Sequence, residues 1–219
     1  MSEAEKSQPV KRPGYYPALA LFPLPGTVFF PGTLLPLHIF EPRYRQMTQS
    51  VIEGDGLMAV ALVNGPEESV HNVAGLGRVV HHEALADGRF HILLQGMGRV
   101  SLGSEVSGDM LYRRKNATLI HDILGESSLL EREMKTLRAV YAQLLGVCPE
   151  IRDALGDLPT RIQEPSALAD IVCATAIEHP PARQDALEDA NVISRLKRAS
   201  DALAGMLLAN TEKTDTWLQ

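Results

Sequence analysis

Leu35-Pro36-Leu37-His38-Ile39-Phe40-Glu41-Pro42-Arg43-Tyr44-Arg45 reads as a short strand that runs straight into a helix. Residues 33–40 are an apolar run interrupted by Pro36, which suits an edge or bulged strand better than a central one. Glu41-Pro42 then opens a helix, because proline at the first helical position gives up an N–H that has no partner there. Tyr44, Met47 and Val51 follow at i, i+3 and i+7 as one apolar stripe, and Gly54 closes the element.

Around this junction the first half keeps a period close to two. Residues 18–24 form a second proline-broken apolar run, and Gly26 and Pro31-Gly32 mark the turns between the two. Residues 57–63 are apolar without interruption and end at Asn64-Gly65-Pro66, the pattern of a strand buried on both faces. Asp87-Gly88 is the dipeptide favoured in a tight hairpin, and residues 89–95 follow it as a strand. Residues 99–106 alternate, with Val100, Leu102 and Val106 on one side, and 111–121 continue less cleanly. Gly75-Leu76-Gly77-Arg78-Val79-Val80 and Gly96-Met97-Gly98-Arg99-Val100-Ser101 are related hexapeptides that start with paired glycines. Both lack a third glycine and run into strands, so they read as bulges or sharp bends and not as dinucleotide loops. About six short strands and one helix predict a small closed or nearly closed β-barrel with the helix plugging one end.

Punctuation then changes. Eight of the fourteen prolines fall between Pro9 and Pro42, and fourteen of the seventeen glycines lie at or before Gly125, which places a boundary near residues 122–126. Ser128-Leu129-Leu130-Glu131 has the form of a capping box. Leu130, Met134, Leu137, Tyr141 and Leu144 follow as a single helical seam that Gly146 ends. Further helices are expected at 150–155, from Pro165 with Leu168, Ile171, Val172 and Thr175 buried, at 182–189, and at 192–208. The last carries Ile193, Leu196, Ser200, Leu203 and Leu207 on one stripe. Amphipathic helices this short must pack on one another, which predicts a helical bundle. The fold class is α+β: a flexible tail over 1–16, a barrel over 17–122, a bundle over 123–210 and a second tail over 211–219.

Composition narrows the function. Residues 1–120 hold eleven basic and eleven acidic side chains, whereas 121–219 hold ten and sixteen, so neither half has the basic surplus of a dedicated nucleic-acid binder. The longest apolar run falls far short of the roughly 20 residues that span a bilayer, and the start of the chain has no apolar signal core. Two cysteines, Cys148 and Cys173, exclude a disulfide framework and read as core residues of a reduced, cytoplasmic protein.

Motifs for chemistry are missing. His82-Glu83 begins like a zinc-peptidase motif, but Ala86 stands where the second histidine belongs and the segment alternates as a strand. No glycine precedes a lysine, so there is no Walker A loop, and no serine sits in a GxSxG elbow. His38, His71, His91, His121 and His179 are scattered with no spacing that suggests a nucleophile, a base and an orienting acid. Arg113-Arg114-Lys115 is a basic cluster whose simplest role is a solvated strand edge that resists pairing with other chains. No catalytic residue, metal ligand or cofactor is expected.

The stretch from Leu21-Phe22-Pro23-Leu24 through Arg45 resembles the N-terminal, substrate-binding domain of the Lon ATP-dependent proteases. Asp87-Gly88-Arg89-Phe90-His91-Ile92-Leu93-Leu94-Gln95-Gly96 is similar to that family's hairpin and following strand. Leu168-Ala169-Asp170-Ile171-Val172, Arg183-Gln184-Asp185-Ala186-Leu187-Glu188 and Arg195-Leu196 resemble its helical part. The resemblance covers about residues 17–208 and implies a barrel similar to the PUA superfamily, then a helical bundle. It also implies polypeptide binding. A full Lon protease continues into an ATPase module and a protease module with a serine–lysine dyad, whereas this sequence stops at Gln219, so no proteolysis by this chain alone is expected.

The expected function is therefore non-catalytic binding of unfolded or degron-bearing polypeptide in protein quality control, as a monomer or weak oligomer. Phe29-Phe30-Pro31-Gly32 places two aromatics beside a turn, and because strand neighbours point to opposite faces one ring is expected to stay uncovered. Phe29, Phe30, His38, Phe40 and Tyr44 are the candidate contact residues, and Glu41, Arg43 and Arg45 a charge network fixing the helix against the barrel. Two alternatives remain. One is RNA binding through Arg113, Arg114 and Lys115; the other is an adaptor that joins a separate ATPase, protease or chaperone. An apolar groove between barrel and bundle is the feature to look for.

Overall fold

Prolines and paired glycines determine where the strands start, bend and stop. The structure, a computed structural model, describes residues 13–65 and 69–216. Most of the expected tail over 1–16, Pro66 of the expected turn and residues 217–219 lie outside the described residues. Six strands come first: β1 (Tyr15–Leu24), β2 (Leu34–Ile39), β3 (Leu57–Leu62), β4 (Val73–Ala84), β5 (Phe90–Glu105) and β6 (Arg114–Ile120), with α1 (Pro42–Glu53) between β2 and β3. The sheet order is β2-β5-β4-β3-β1-β6, and β5 pairs again with β6, so the last five strands of that order form a closed ring. The pairing of β1 with β3 is parallel and the other pairings are antiparallel.

The two strands expected at 89–95 and 99–106 are one strand. Leu76 pairs with Gly98 and Gly77 with Gly96, so Met97 has no partner and bulges outward. The glycines bend β5 without ending it: its first half lies between β2 and β4, and its second between β4 and β6. Arg113, Arg114 and Lys115 consequently lead into a strand with neighbours on both sides, which corrects the expectation of a strand edge. The hairpin turn falls at Asp87-Gly88 as expected, with Gly88 at φ +79°, a conformation glycine adopts without steric cost.

Alternation along β3 divides the apolar interior in two. Ala59 and Ala61 join Leu19, Leu21, Ala74, Leu76, Val100 and Ala117 inside the ring. Met58 and Val60 face the other way, into a second core with Phe22, Phe29, Ile39, Tyr44, Met47 and Leu94. The stripe of α1 belongs to this second core. Helix α1 therefore packs on the outer side of β1 and β3, beneath β2 and the first half of β5, and does not plug the end of the barrel.

Six helices follow: α2 (Ser127–Leu144), α3 (Pro149–Leu155), α4 (Leu158–Arg161), α5 (Pro165–Ala176), α6 (Pro180–Glu188) and α7 (Val192–Thr216). The α2 seam is buried along its whole length, and α2 and α5 both pack on α7. Three expectations need correction. Ser128 lies within the first turn and its hydroxyl donates to Glu126, so no capping box forms. Thr175 is exposed, while Asp170 and Cys173 take the buried face of α5. Helix α7 also continues past the expected boundary at 210, to Thr216, with no glycine or proline after Gly205 to break it.

Candidate functional site

The ends of β1 and β2 meet the start of α1 at an open cleft of about 470 Å³. Phe22, Pro23, Leu24 and Pro25 form one wall and Leu37, His38, Ile39 and Phe40 the other; Glu41, Arg43, Tyr44 and Val63 complete the lining. Pro42 at the first position of α1 turns the chain from strand to helix without a spacer, which puts the β2 end and the first helical turn in one wall. Tyr44 packs on Phe22 with ring centroids 4.5 Å apart, and the Arg43 guanidinium carbon lies 4.5 Å from the centre of the Tyr44 ring. Arg43 Nε also donates to Glu41 Oε2 at 3.0 Å, so the two charged residues of the lining compensate each other. Phe40 is 61% exposed at the lip. The His38 ring lies 6.0 Å from that of Phe40 and 4.9 Å from that of His91.

Five of the eight residues expected from the sequence thus converge here: His38, Phe40, Tyr44, Glu41 and Arg43. Arg45 does not join the Glu41–Arg43 pair; its guanidinium lies against Gly88 in the β4–β5 turn and ties α1 to the hairpin. Phe29 and Phe30 are elsewhere, and both are buried. Their rings do point to opposite sides, but each side has a core of its own: Phe29 enters the second barrel core and Phe30 the helical core with Leu137 and Val172. The expectation of an uncovered ring fails for that reason. Sequence reasoning missed Phe22, Pro23, Leu24, Pro25, Leu37, Ile39 and Val63 as lining. The available signal was the pair of proline-broken apolar runs at 18–24 and 33–40, whose ends form the two walls.

The junction between barrel and bundle combines apolar packing, with Val28, Phe30 and Leu62 in the helical core, and a buried ion network in place of the apolar groove sought from the sequence. Arg99 from β5 and Arg195 from α7, both buried, meet Asp170 from α5 and Asp122 from the β6–α2 connection. Arg99 donates to Asp170 at 2.6 Å, to Asp122 at 2.8 Å and to the Leu187 carbonyl at 3.0 Å. Arg195 lies 2.9 Å from Asp122 and 3.0 Å from Asp170, and donates to the Asp189 carbonyl at 2.8 Å. Nε and Nη2 of Arg195 meet the carboxylates at ion-pair distance without hydrogen-bond alignment. Burial pushes the Asp170 carboxyl above the usual carboxylate range, with the two guanidiniums pulling against it.

The basic cluster is compensated in part. Arg113 places two nitrogens on the Glu105 carboxylate at 2.7 and 2.9 Å, and Lys115 lies opposite Glu105 in the sheet.

The model of the ATP-dependent protease La (LON) substrate-binding domain matches residues 18–205. The chain belongs to the Lon substrate-binding domain family. Among curated relatives, the Lon protease of Desulfosudis oleivorans is 25% identical over 190 residues, 84% of this chain and 23% of that protein. The Lon protease of Azospirillum brasilense is 25% identical over 211 residues, 94% of this chain and 26% of that protein. The chain thus spans about a quarter of the length of the curated relatives it matches. Among solved structures, the N-terminal domain of the Mycobacterium avium complex Lon protease aligns with a TM-score of 0.67 at 18% identity, covering 85% of this chain and 98% of that one. A Lon N-terminal domain protein from Xanthomonas campestris gives 0.59 at 15% identity, with 83% and 95% covered. Both support the fold of this Lon-family chain. The matched segment is the substrate-binding domain, and the match does not extend to ATPase or protease modules.

What the cleft offers chemically is apolar contact beside one compensated ion pair. Among the described residues no group of three or more His, Cys, Asp or Glu side chains is arranged to hold a metal ion, and no helix is long and apolar enough to cross a membrane. Both cysteines lie in the helical core, and burial pushes the Cys173 thiol up to about 12. Cys173 is therefore protonated and shielded at pH 8. Iodoacetamide is expected to leave it unmodified in the native protein and to label it once the chain is unfolded in guanidinium, with intact-mass spectrometry as the readout.

Proposed function

We propose that this chain binds apolar segments of unfolded or degron-bearing polypeptide in its β1–β2–α1 cleft, without cleaving them, as part of protein quality control. The observation that carries this reading is Phe40, a large ring 61% exposed beside a mostly apolar cleft whose one ion pair is compensated, in a domain of the substrate-binding family. His38, Tyr44 and Leu37 extend the contact. Phe29 and Phe30 act indirectly, by holding barrel and bundle together. The chain works as a monomer or weak oligomer and passes its client to a separate protease or chaperone.

Fluorescence anisotropy with a reduced, carboxymethylated client protein tests the reading. Phe40→Glu is expected to weaken binding about tenfold, since burying such a ring is worth roughly 1.5–3 kcal/mol. Its unfolding free energy should change by no more than about 0.5 kcal/mol, because the exposed ring packs little. Casein incubated with the protein and ATP should stay intact. Binding that ignores Phe40→Glu would remove the cleft from the function, and ATP-dependent cleavage would refute the non-catalytic reading.

A further inference from the structure

We infer that the cleft captures side chains of its polypeptide and leaves the polypeptide main chain unpaired, so that binding does not proceed by adding a strand to β2. The inference rests on the reading given under Proposed function and specifies its mode. Successive residues of a strand face opposite ways, so a cleft lying over a sheet face is lined by every second residue. Here consecutive residues line both walls, 22–25 and 37–40. The cleft therefore runs along two strand edges, the place where an extended peptide ordinarily joins a sheet.

These edges offer too few donors for a continuous ladder. The one neighbour of β2 within the sheet order is β5. Gly96 N–H donates to the Thr33 carbonyl at 2.9 Å, in register with the pairs Leu35 to Leu94 and Leu37 to Ile92. By alternation, residues 33, 35, 37 and 39 turn their main-chain groups toward β5, and Leu34, Pro36 and His38 turn theirs to the open side. Pro36 has no N–H to offer. On the other wall Leu24 accepts from Val63 N–H at 3.2 Å, toward β3, while Leu21 N–H donates to Arg113 at 2.9 Å on the opposite side. Pro23 shares the orientation of Leu21, past the point where β6 pairing ends at Ala20 and Arg114, and it too lacks an N–H, as does Pro25. On the open side, 22–25 offer no N–H, because 22 and 24 face β3 and 23 and 25 are prolines, while β2 offers those of Leu34 and His38 with Pro36 between them. Prolines at edge positions are a device that prevents strand pairing, and here they sit on both walls.

What remains is apolar capture. With Glu41 bonded to Arg43 the lining carries no uncompensated charge, which complements an uncharged apolar side chain and not an acidic or basic one. A volume of about 470 Å³ takes a few side chains but no folded domain. The occupant is thus a leucine- or phenylalanine-bearing segment of unfolded chain in any backbone conformation.

Two dye-labelled peptides test this against the intact protein: one alternating leucine or phenylalanine with serine, the other its copy N-methylated at every peptide nitrogen. The two are expected to bind within about threefold of each other, and both to weaken with Phe40→Glu. In strand addition each lost main-chain hydrogen bond would weaken binding roughly twofold to tenfold, so several methyl groups would abolish it. Binding of the parent peptide alone overturns the inference and leaves the proposed function standing. If neither peptide binds, the proposed function and the inference fall together. A methylated copy that binds but ignores Phe40→Glu sits outside the cleft, which also overturns the inference.

Discussion

Asp170→Ala is expected to destabilise the fold by about 3–5 kcal/mol, the cost of leaving a buried guanidinium without its partner. In a chain of this size that lowers the melting midpoint by on the order of 10 °C. The two arginines are 2% and 0% exposed, and the charges balance only as a set of two guanidiniums and two carboxylates. Without Asp170, a single carboxylate, the partly exposed Asp122, faces both cations. The carbonyls of Leu187 and Asp189 still accept hydrogen bonds, but a carbonyl dipole does not neutralise a charge. Removing one cation together with the anion should cost less than the single change, because Arg99→Met with Asp170→Leu leaves Arg195 paired with Asp122 and fills the space with apolar atoms. Calorimetry on Arg99→Met, Asp170→Leu and the double variant should give a coupling of at least about 2 kcal/mol. A loss below about 1 kcal/mol for Asp170→Ala would show that the network does not hold the junction.

These buried charges indicate why parts of the fold could be read from the sequence and others could not. Helix α1 was legible because its signals are local: Pro42 opens it, one stripe runs along it and Gly54 stops it. The α2 seam and the doubly buried β3 were legible for the same reason. Local signals do not say what a residue meets from far along the chain. Paired glycines at 96 and 98 look alike whether they end a strand or bend it, and closure against β6 decides for the bend. Phe29-Phe30 looks exposed beside its turn until two cores, built from residues far along the chain, close on it. Asp170 and Arg195 did carry a signal. Each is a charge set within an apolar stripe, Asp170 beside Ala169 and Cys173, Arg195 between Val192 and Ala199. A charge in that position is either an error of pattern or half of a buried pair. The cleft was half legible, since its β2 and α1 residues are contiguous whereas its β1 wall arrives through the sheet.

Gly96→Ala is expected to destabilise by on the order of 3 kcal/mol, through a clash that no side-chain movement relieves. A Cβ on Gly96 would collide with the carbonyl oxygen of Phe30 and stand 3.0 Å from its carbonyl carbon. Backbone on both sides is pinned: Gly96 N–H donates to Thr33 and its carbonyl accepts from Gly32, each at 2.9 Å. Gly75 meets the Phe29 carbonyl in the same way, so the glycines of the two hexapeptides admit the segment that carries both rings. Displacing it withdraws Phe29 from one core and Phe30 from the other. Amide exchange should therefore rise together in β5 and in α2, α5 and α7, where a purely local defect would raise it in β5 alone. The same substitution at Gly205, exposed in α7 with nothing within 4 Å of the new Cβ, should stabilise by about 0.5–1 kcal/mol. Opposite signs at the two positions attribute the Gly96 effect to the crossing segment. A Gly96→Ala protein as stable as the parent would mean that the segment lies farther from β5 than described, and that the two rings do not bind barrel to bundle.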